Sequence, residues 1–438
     1  MSWVPLFSLG VALLIGLLVL GAPIFVAFLV LNIVGVLVLF GPAGFGLLAN
    51  SIFSSGTSGV LTAVPLFIAM GEILFRSGAM EVLFDSLDRL VGRIRGRQYV
   101  LCILLSAIIG ALSGAAMAVA GLLGRSLYPT MLKRGYDPKL SAGTILAGAS
   151  LDPIIPPSVL AILIATIAQI STGKLLIAGL LPGLLLTLMF LAYVWIRVTL
   201  NPKLSPDVTQ EIVAERSVSS ALVAVLRMLP SLGIFFLVMG LVMLGIATPT
   251  EAAATGIAGS LVLAAAYRKL SWHMLQESLA SGVRVSSLLL IVMCSAVMFS
   301  QLLTFTGAPQ ALGEIVSSLN LSSWVMLFLM LLLPFILFMF LDQIAIMLVL
   351  IPIYKPIIAF YGFDEIWFYT LFLVVATVGG ISPPFGYTLF AFKSAAPQAS
   401  MSQIFSAAWP FVWIITAGMF LMAIFPPIVT YLPNLVGR

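Results

Sequence analysis

Lys133-Arg134-Gly135-Tyr136-Asp137-Pro138, followed by Pro153-Ile154-Ile155-Pro156-Pro157-Ser158, decides the fold, because the chain carries its skeleton twice. A shift of 227 residues takes Pro129, Gly135, Asp137, Pro156 and Pro157 to Pro356, Gly362, Asp364, Pro383 and Pro384. Five turn-forming or helix-breaking residues at one offset predict two structural repeats. Each proline pair interrupts an apolar segment, removes two backbone donors and leaves carbonyls without partners. Inside a bilayer such a break survives only where protein, water or an ion satisfies it. Paired breaks in two halves of a membrane chain point to a central binding site.

The composition sets the same frame. The chain has 438 residues, 62% hydrophobic and 8% charged, with a formal net charge of +5. This is the composition of an all-α polytopic membrane protein, with room for about ten spans of roughly twenty residues. The basic residues stand in short loops, so the charge reflects orientation in the bilayer and not nucleic-acid binding. Cys102 and Cys294 lie in apolar surroundings and read as packing residues. His273 stands alone beside Trp272 in an expected loop, which excludes a histidine metal site.

In order, the expected spans are 6–20, 22–40 and 51–75, then an amphipathic stretch 76–97, a Gly/Ser-rich segment 100–132, and spans 138–170 and 174–200. With no basic residue before Arg76, residues 6–20 read as a span and not a signal peptide. The polar stretch 201–219 reads as a cytoplasmic linker between a first repeat, 1–200, and a second, 220–438. The second repeat gives 227–246, 248–267, 278–305, 324–357, 365–395 and 402–432. Segments 100–132 and 324–357 fit re-entrant helical hairpins, and 138–170 and 365–395 fit broken helices. A single tilted helix is the alternative for 100–132. With hairpins, each half has five true transmembrane helices, and an odd number inverts the second half relative to the first.

Fifteen basic residues, including Arg76, Arg89, Arg95, Arg197, Arg268 and Lys393, then fall on one side, against Lys174, Lys355 and Arg438 on the other. The crowded side is expected to be cytoplasmic, with both termini periplasmic. Trp3, Trp195, Trp272, Trp324, Trp367 and Trp409 are expected as interfacial anchors near span ends.

Charges at membrane depth are few: Glu72, Arg125, Asp152, Glu251 and Asp342, with Arg284 expected near a span end. Each costs roughly 2.5–3.5 kcal/mol at a helix centre, so each needs a partner or a function. Asp152 precedes the first break, and Asp342-Gln343 lies in the second hairpin. Thr377-Val378-Gly379-Gly380-Ile381-Ser382 precedes the second proline pair. Freed carbonyls, small hydroxyls and a carboxylate suit a small hard cation. Two cation sites are therefore expected, one from Ser113, Gly114, Ser150, Asp152, Pro156 and Ser158. The other comprises Asp342, Gln343, Thr377, Gly379, Gly380 and Ser382. A substrate is expected near Ser113, Arg125, Gln343 and Ser382. Glu251 reads as part of a helix N-terminus capped by Thr248, with Pro249 at the first position. Glu72 reads as scaffold pairing, and Asp85 with Asp88 as a solvated face. No Walker A sequence, zinc spacing or nucleophile elbow is present, so ATP-driven pumping and hydrolysis find no support.

These motifs, with Phe340-Leu341-Asp342 and Ser382-Pro383-Pro384-Phe385-Gly386, resemble the large membrane subunit, DctM type, of the tripartite ATP-independent periplasmic (TRAP) transporters. The resemblance runs nearly end to end. It implies an elevator-type secondary transporter of the ion transporter superfamily, with separate transport and scaffold domains. It further implies no enzyme activity or cofactor, coupling to Na+, and the bacterial inner membrane as location. The implied partners are a separate small four-helix membrane subunit and a periplasmic binding protein that delivers a small organic anion, a carboxylate being the expected class. Three departures stand out: Ala115-Ala116 where hydroxyls are usual, Asp152 where glycine is usual, and Arg125 where a small or polar residue is usual. Asp152 could replace the lost ligands, or pair with Arg125, or leave Arg125 to meet a substrate carboxylate. A self-sufficient cation/anion symporter of the same superfamily, or a membrane-embedded enzyme, is the alternative reading.

Overall fold

The computed structural model describes residues 3–436 apart from 58, 60, 93, 114, 115 and 207–217, and the described residues are helical with connecting turns. The first half opens with α1 (Trp3–Val19) and α2 (Ile24–Phe40), which a short 3-10 turn joins to α3 (Phe45–Gly56). Then come α4 (Ala63–Arg76), α5 (Ala79–Val91), α6 (Arg97–Ser113), α7 (Ala116–Lys133) and α8 (Pro138–Ala149). After the first break follow α9 (Val159–Ala168), α10 (Thr172–Ala178) and α11 (Leu180–Leu200). The second half holds α12 (Val218–Met243), α13 (Pro249–Ala266), α14 (Trp272–Thr306), α15 (Ala308–Ser318), α16 (Ser323–Leu337) and α17 (Gln343–Tyr361). It ends with α18 (Glu365–Ile381), α19 (Tyr387–Ala395), α20 (Met401–Ile424) and α21 (Pro427–Leu435).

The duplicated Gly-x-Asp is a helix-to-helix corner. Gly135 and Gly362 take φ of 82° and 66°, the left-handed region that ends a helix without steric cost. Two residues on, Asp137 accepts from Leu140 N at 2.7 Å and Asp364 from Trp367 N at 2.7 Å, so each carboxylate caps the next helix. In each half this corner feeds a helix that packs on the first arm of the preceding helix pair, α8 on α6 and α18 on α16. The second arms cross over: α7 packs on α19, and α17 on α9. Tyr128 meets Phe392 edge-on at 5.2 Å, and the Lys355 ammonium donates to the Ala168 carbonyl at 2.9 Å. The two hairpins and the two broken helices are thereby joined into one packed unit.

Among the described residues, six stretches are long and apolar enough to cross a membrane: Ile24–Gly56, Thr172–Leu200, Leu222–Met243, Trp272–Thr306, Gln343–Tyr361 and Met401–Ile424. Several expected boundaries change. The span 51–75 is two helices, because α3 ends at Gly56 and α4 starts only at Ala63. Residues 402–432 divide at Phe425-Pro426, where proline starts α21. Segment 174–200 is interrupted at Gly179, where a Cβ would fall 2.1 Å from the Ile154 carbonyl oxygen. The linker 201–219 is shorter at its end, since α12 begins at Val218, and 207–217 lie outside the described residues.

Four side-chain readings also change. His273 sits in the first turn of α14, capped by Ser271, and not in a loop. Arg284 falls in the body of that helix. Trp367 is buried, its indole N–H donating to the Met422 carbonyl at 3.0 Å, so it packs the core instead of anchoring an interface. Asp88 is more than a solvated face: its carboxylate lies 2.6 Å from the guanidinium of Arg97, which is 1% exposed. That pair ties α5 to the base of α6.

Candidate functional site

Among the described residues, two breaks and the helix pairs α6–α7 and α16–α17 build the site. The first break runs from Ser150, which ends α8, to Ser158, which caps α9 by accepting from Ala161 N at 3.1 Å and donates its own hydrogen to the Pro153 carbonyl. The second runs from Ser382 to Gly386, whose N–H donates back to the Ser382 carbonyl at 2.9 Å. Both Pro156-Pro157 and Pro383-Pro384 are cis. The second hairpin turns over Phe338–Leu341, and Asp342 caps α17 by accepting from Ile344 N at 2.8 Å and Ala345 N at 3.3 Å. In the first hairpin α6 and α7 pack together, and residues 114 and 115 between them lie outside the described residues.

Glycines let each turn reach its break. A Cβ on Gly379 would fall 2.9 Å from the Phe338 carbonyl oxygen, and one on Gly110 would fall 3.3 Å from the Asp152 Cα. The Gln343 amide then donates to the Ala376 carbonyl of α18, pinning the hairpin tip to the broken helix.

Around these elements lies a cavity of about 900 Å³. One wall is α4, with Glu72 and Arg76, and Leu289 of α14. The rest of the lining is α7 with Ala116 and Arg125, the first break with Asp152 and Ser158, the second tip with Asp342 and Gln343, and Tyr387. Four helices begin at lining residues, at Ala116, Val159, Gln343 and Tyr387. Their positive dipole ends favour negative charge, although the Asp342 carboxylate and the Ser158 hydroxyl already take the cap N–H groups of two of them.

The sequence-predicted residues divide in two. Arg125, Asp152, Ser158, Asp342 and Gln343 line the cavity. Ser150, Thr377 and Ser382 stand behind it, buried, their hydroxyls donating to the carbonyls of Ala147 at 2.7 Å, Leu373 at 3.1 Å and Val378 at 2.8 Å. Such hydroxyls keep oxygen lone pairs free for a cation. Ser382 is not among the residues that line the cavity. Gly379 and Gly380 sit against Phe338 and Tyr387, and Pro156 sits inside the first break. Gly114 and the side chain of Ser113 lie outside the described residues.

Arg125 is exposed in the cavity, and no ion pair joins it to Asp152 among the described residues. Glu72 pairs with residues of α4 and α14: Arg76 lies 3.3 Å away and also meets Glu277, and Ser281 donates to Glu72 at 2.8 Å. Glu251 and Thr248 form a reciprocal capping box. Tyr387 and the exposure of α4 to the cavity were missed from sequence. The only signal for Tyr387 was its place directly after Pro383-Pro384-Phe385-Gly386.

Apolar helices broken around a mixed-charge cavity have the build of a multi-pass membrane transporter. A family model described as the tripartite ATP-independent periplasmic transporter, DctM component, matches residues 11–428, and the chain belongs to that family. It is 30% identical over 404 residues to the C4-dicarboxylate TRAP transporter large permease protein DctM of Pseudomonas aeruginosa, covering 92% of each chain. It is 28% identical to the ectoine TRAP transporter large permease protein TeaC of Halomonas elongata, covering 98% of this chain and all of that one. The isethionate TRAP transporter permease protein DctMQ of Oleidesulfovibrio alaskensis is 27% identical over 94% of this chain and 64% of its own length. Among solved structures, the YdaH transporter of Alcanivorax borkumensis superposes with a TM-score of 0.61 at 18% identity, over 89% of this chain and 90% of that one.

Proposed function

We propose that this chain is the large membrane component of a sodium-coupled importer that carries a small organic anion, a carboxylate, across the bacterial inner membrane. The observation that carries this reading is the convergence of four helix N-termini on a cavity that also holds the Arg125 guanidinium. Dipole ends and a planar, bidentate donor suit a carboxylate. Relatives named for C4-dicarboxylate and sialic acid support a carboxylate, and one named for isethionate, a sulfonate, supports the wider class of organic anions. Coupling ions would take the oxygen-rich breaks behind the cavity, one around Asp152 and one around Asp342 and Thr377–Ser382.

The element order and the matched packing of α6 on α8 and α16 on α18 support two inverted repeats. In this reading α6–α9 and α16–α19 form a moving transport domain. The α4–α14 wall belongs to a fixed scaffold, and the motion is an elevator displacement of one against the other. Both termini face the periplasm. A small four-helix membrane subunit and a periplasmic binding protein complete the assembly, the first supported by the DctMQ relative, whose length exceeds this chain. Reconstitution of the three components in liposomes tests the function: uptake of a labelled C4-dicarboxylate should require an inward sodium gradient. Uptake that continues unchanged with potassium in place of sodium would exclude sodium coupling.

A further inference from the structure

The face that α7 turns to the cavity narrows the class of anion the cavity suits. Met117, Ala118, Gly121, Leu122 and Arg125 all line it, at the spacing of one helical face, while Ala120 and Leu123 between them are buried. Arg125 therefore stands at one end of an apolar strip. Gly121, one turn before it, leaves the strip open, because a Cβ there would meet nothing within 4 Å. Phe75 of α4 and Leu289 of α14 add apolar surface to the same lining.

The charges of the lining suit one carboxylate better than two. Arg76 is held by Glu72 at 3.3 Å and by Glu277, so its charge is already matched. Asp152 and Asp342 are themselves carboxylates, and a coupling ion at each would neutralise that group without leaving a positive charge over. Among the described lining residues the remaining cation is Arg125. A second carboxylate would meet like charge in a setting of low dielectric. The start of α7 at Ala116 also attracts negative charge, but it lies about 13 Å from Arg125 along the helix. A four-carbon diacid is too short to reach both. At about 900 Å³ the cavity is near the upper end of small-molecule sites and has room for a larger body.

We propose that the preferred cargo is a monocarboxylate with an apolar body, a branched chain or a small ring. Its carboxylate meets Arg125 and its body lies along the Gly121 face of α7. The inference rests on the organic-anion reading above and adds to it the charge and shape of the solute. Succinate remains a weaker ligand through one of its two carboxylates. Burial of a few methylene equivalents in the strip favours a branched monoacid over it by about tenfold.

Thermal unfolding of the purified full-length chain in sodium chloride, titrated with isocaproate or succinate at constant ionic strength, tests it. Isocaproate should raise the melting temperature with a half-saturation about tenfold lower than that of succinate. Gly121→Leu fills the strip with a residue better suited to a helix than glycine, and should bring the two half-saturations together. Arg125→Gln should weaken both acids. Succinate bound as tightly as isocaproate by the wild type overturns the proposal. So does an isocaproate preference that survives in Gly121→Leu, or an isocaproate shift undiminished in Arg125→Gln. If neither acid shifts the wild type, the underlying organic-anion reading falls instead.

Discussion

Gly379 and Phe338 are packed so closely that no side chain fits between them: a Cβ at 379 would fall 2.3 Å from the Phe338 Cβ. At the same place in the first half, 227 residues earlier, stands Asp152, and there the glycine is on the other partner, Gly110 of α6. In both halves a glycine allows the first arm of the helix pair to meet the break, on the broken helix in the second half and, one position off the strict repeat, on the arm in the first.

Gly379→Ala is expected to force Phe338 out of place and cost about 1–3 kcal/mol, the usual range for overpacking. Thermal unfolding in detergent should show the loss, and sodium-driven uptake should fall with it. Gly313, whose added Cβ meets nothing within 4 Å, is the matched control and should tolerate alanine in the same assay.

Arg125→Gln removes the guanidinium from the cavity. A hydrogen bond to a charged group contributes about 1.5–3 kcal/mol, so KM for the transported anion should rise roughly 10–150-fold. The sodium dependence of thermal unfolding should stay as in the wild type. Arg125→Lys should recover only part of the affinity, because an ammonium lacks the planar fork.

Asp152→Asn keeps the shape of the first break and removes its charge. Half-saturating sodium for uptake is expected to rise at least about tenfold, the equivalent of roughly 1.4 kcal/mol of lost cation binding. Unaltered sodium dependence would remove Asp152 from the cation site.

Asp88→Ala should destabilise the chain through its partner. Arg97 is nearly inaccessible, and a buried charge stripped of its counter-ion typically costs about 3–5 kcal/mol, here at the lower end because Asp88 itself is one-third exposed. Replacing both residues, Asp88→Ala with Arg97→Met, should restore part of the melting temperature.

Thr248→Ala tests the capping box away from the cavity. Loss of this cap should cost about 1 kcal/mol in thermal unfolding and leave KM for the anion unchanged.

The repeat skeleton was legible because its residues act locally. A glycine at positive φ, an aspartate two residues on and a proline pair each impose their conformation without help from tertiary contacts, as do Thr248, Pro249 and Glu251. Boundaries inside long apolar runs were not legible. Hydropathy alone cannot separate the continuous α14 from the divided segment 51–75, and α15, amphipathic and short, left no strong mark. In the site, carboxylates and Arg125 announced themselves by their cost in a membrane. Tyr387 did not, since a tyrosine in an apolar segment is ordinary until packing brings Asp152 and Gln343 beside it.

The four helix starts at the cavity carry one more consequence. Attraction for negative charge there is written in the course of the backbone, and no single codon change can erase it. Substitutions among the lining side chains are therefore expected to retune which acid is accepted while the pull on its carboxylate persists.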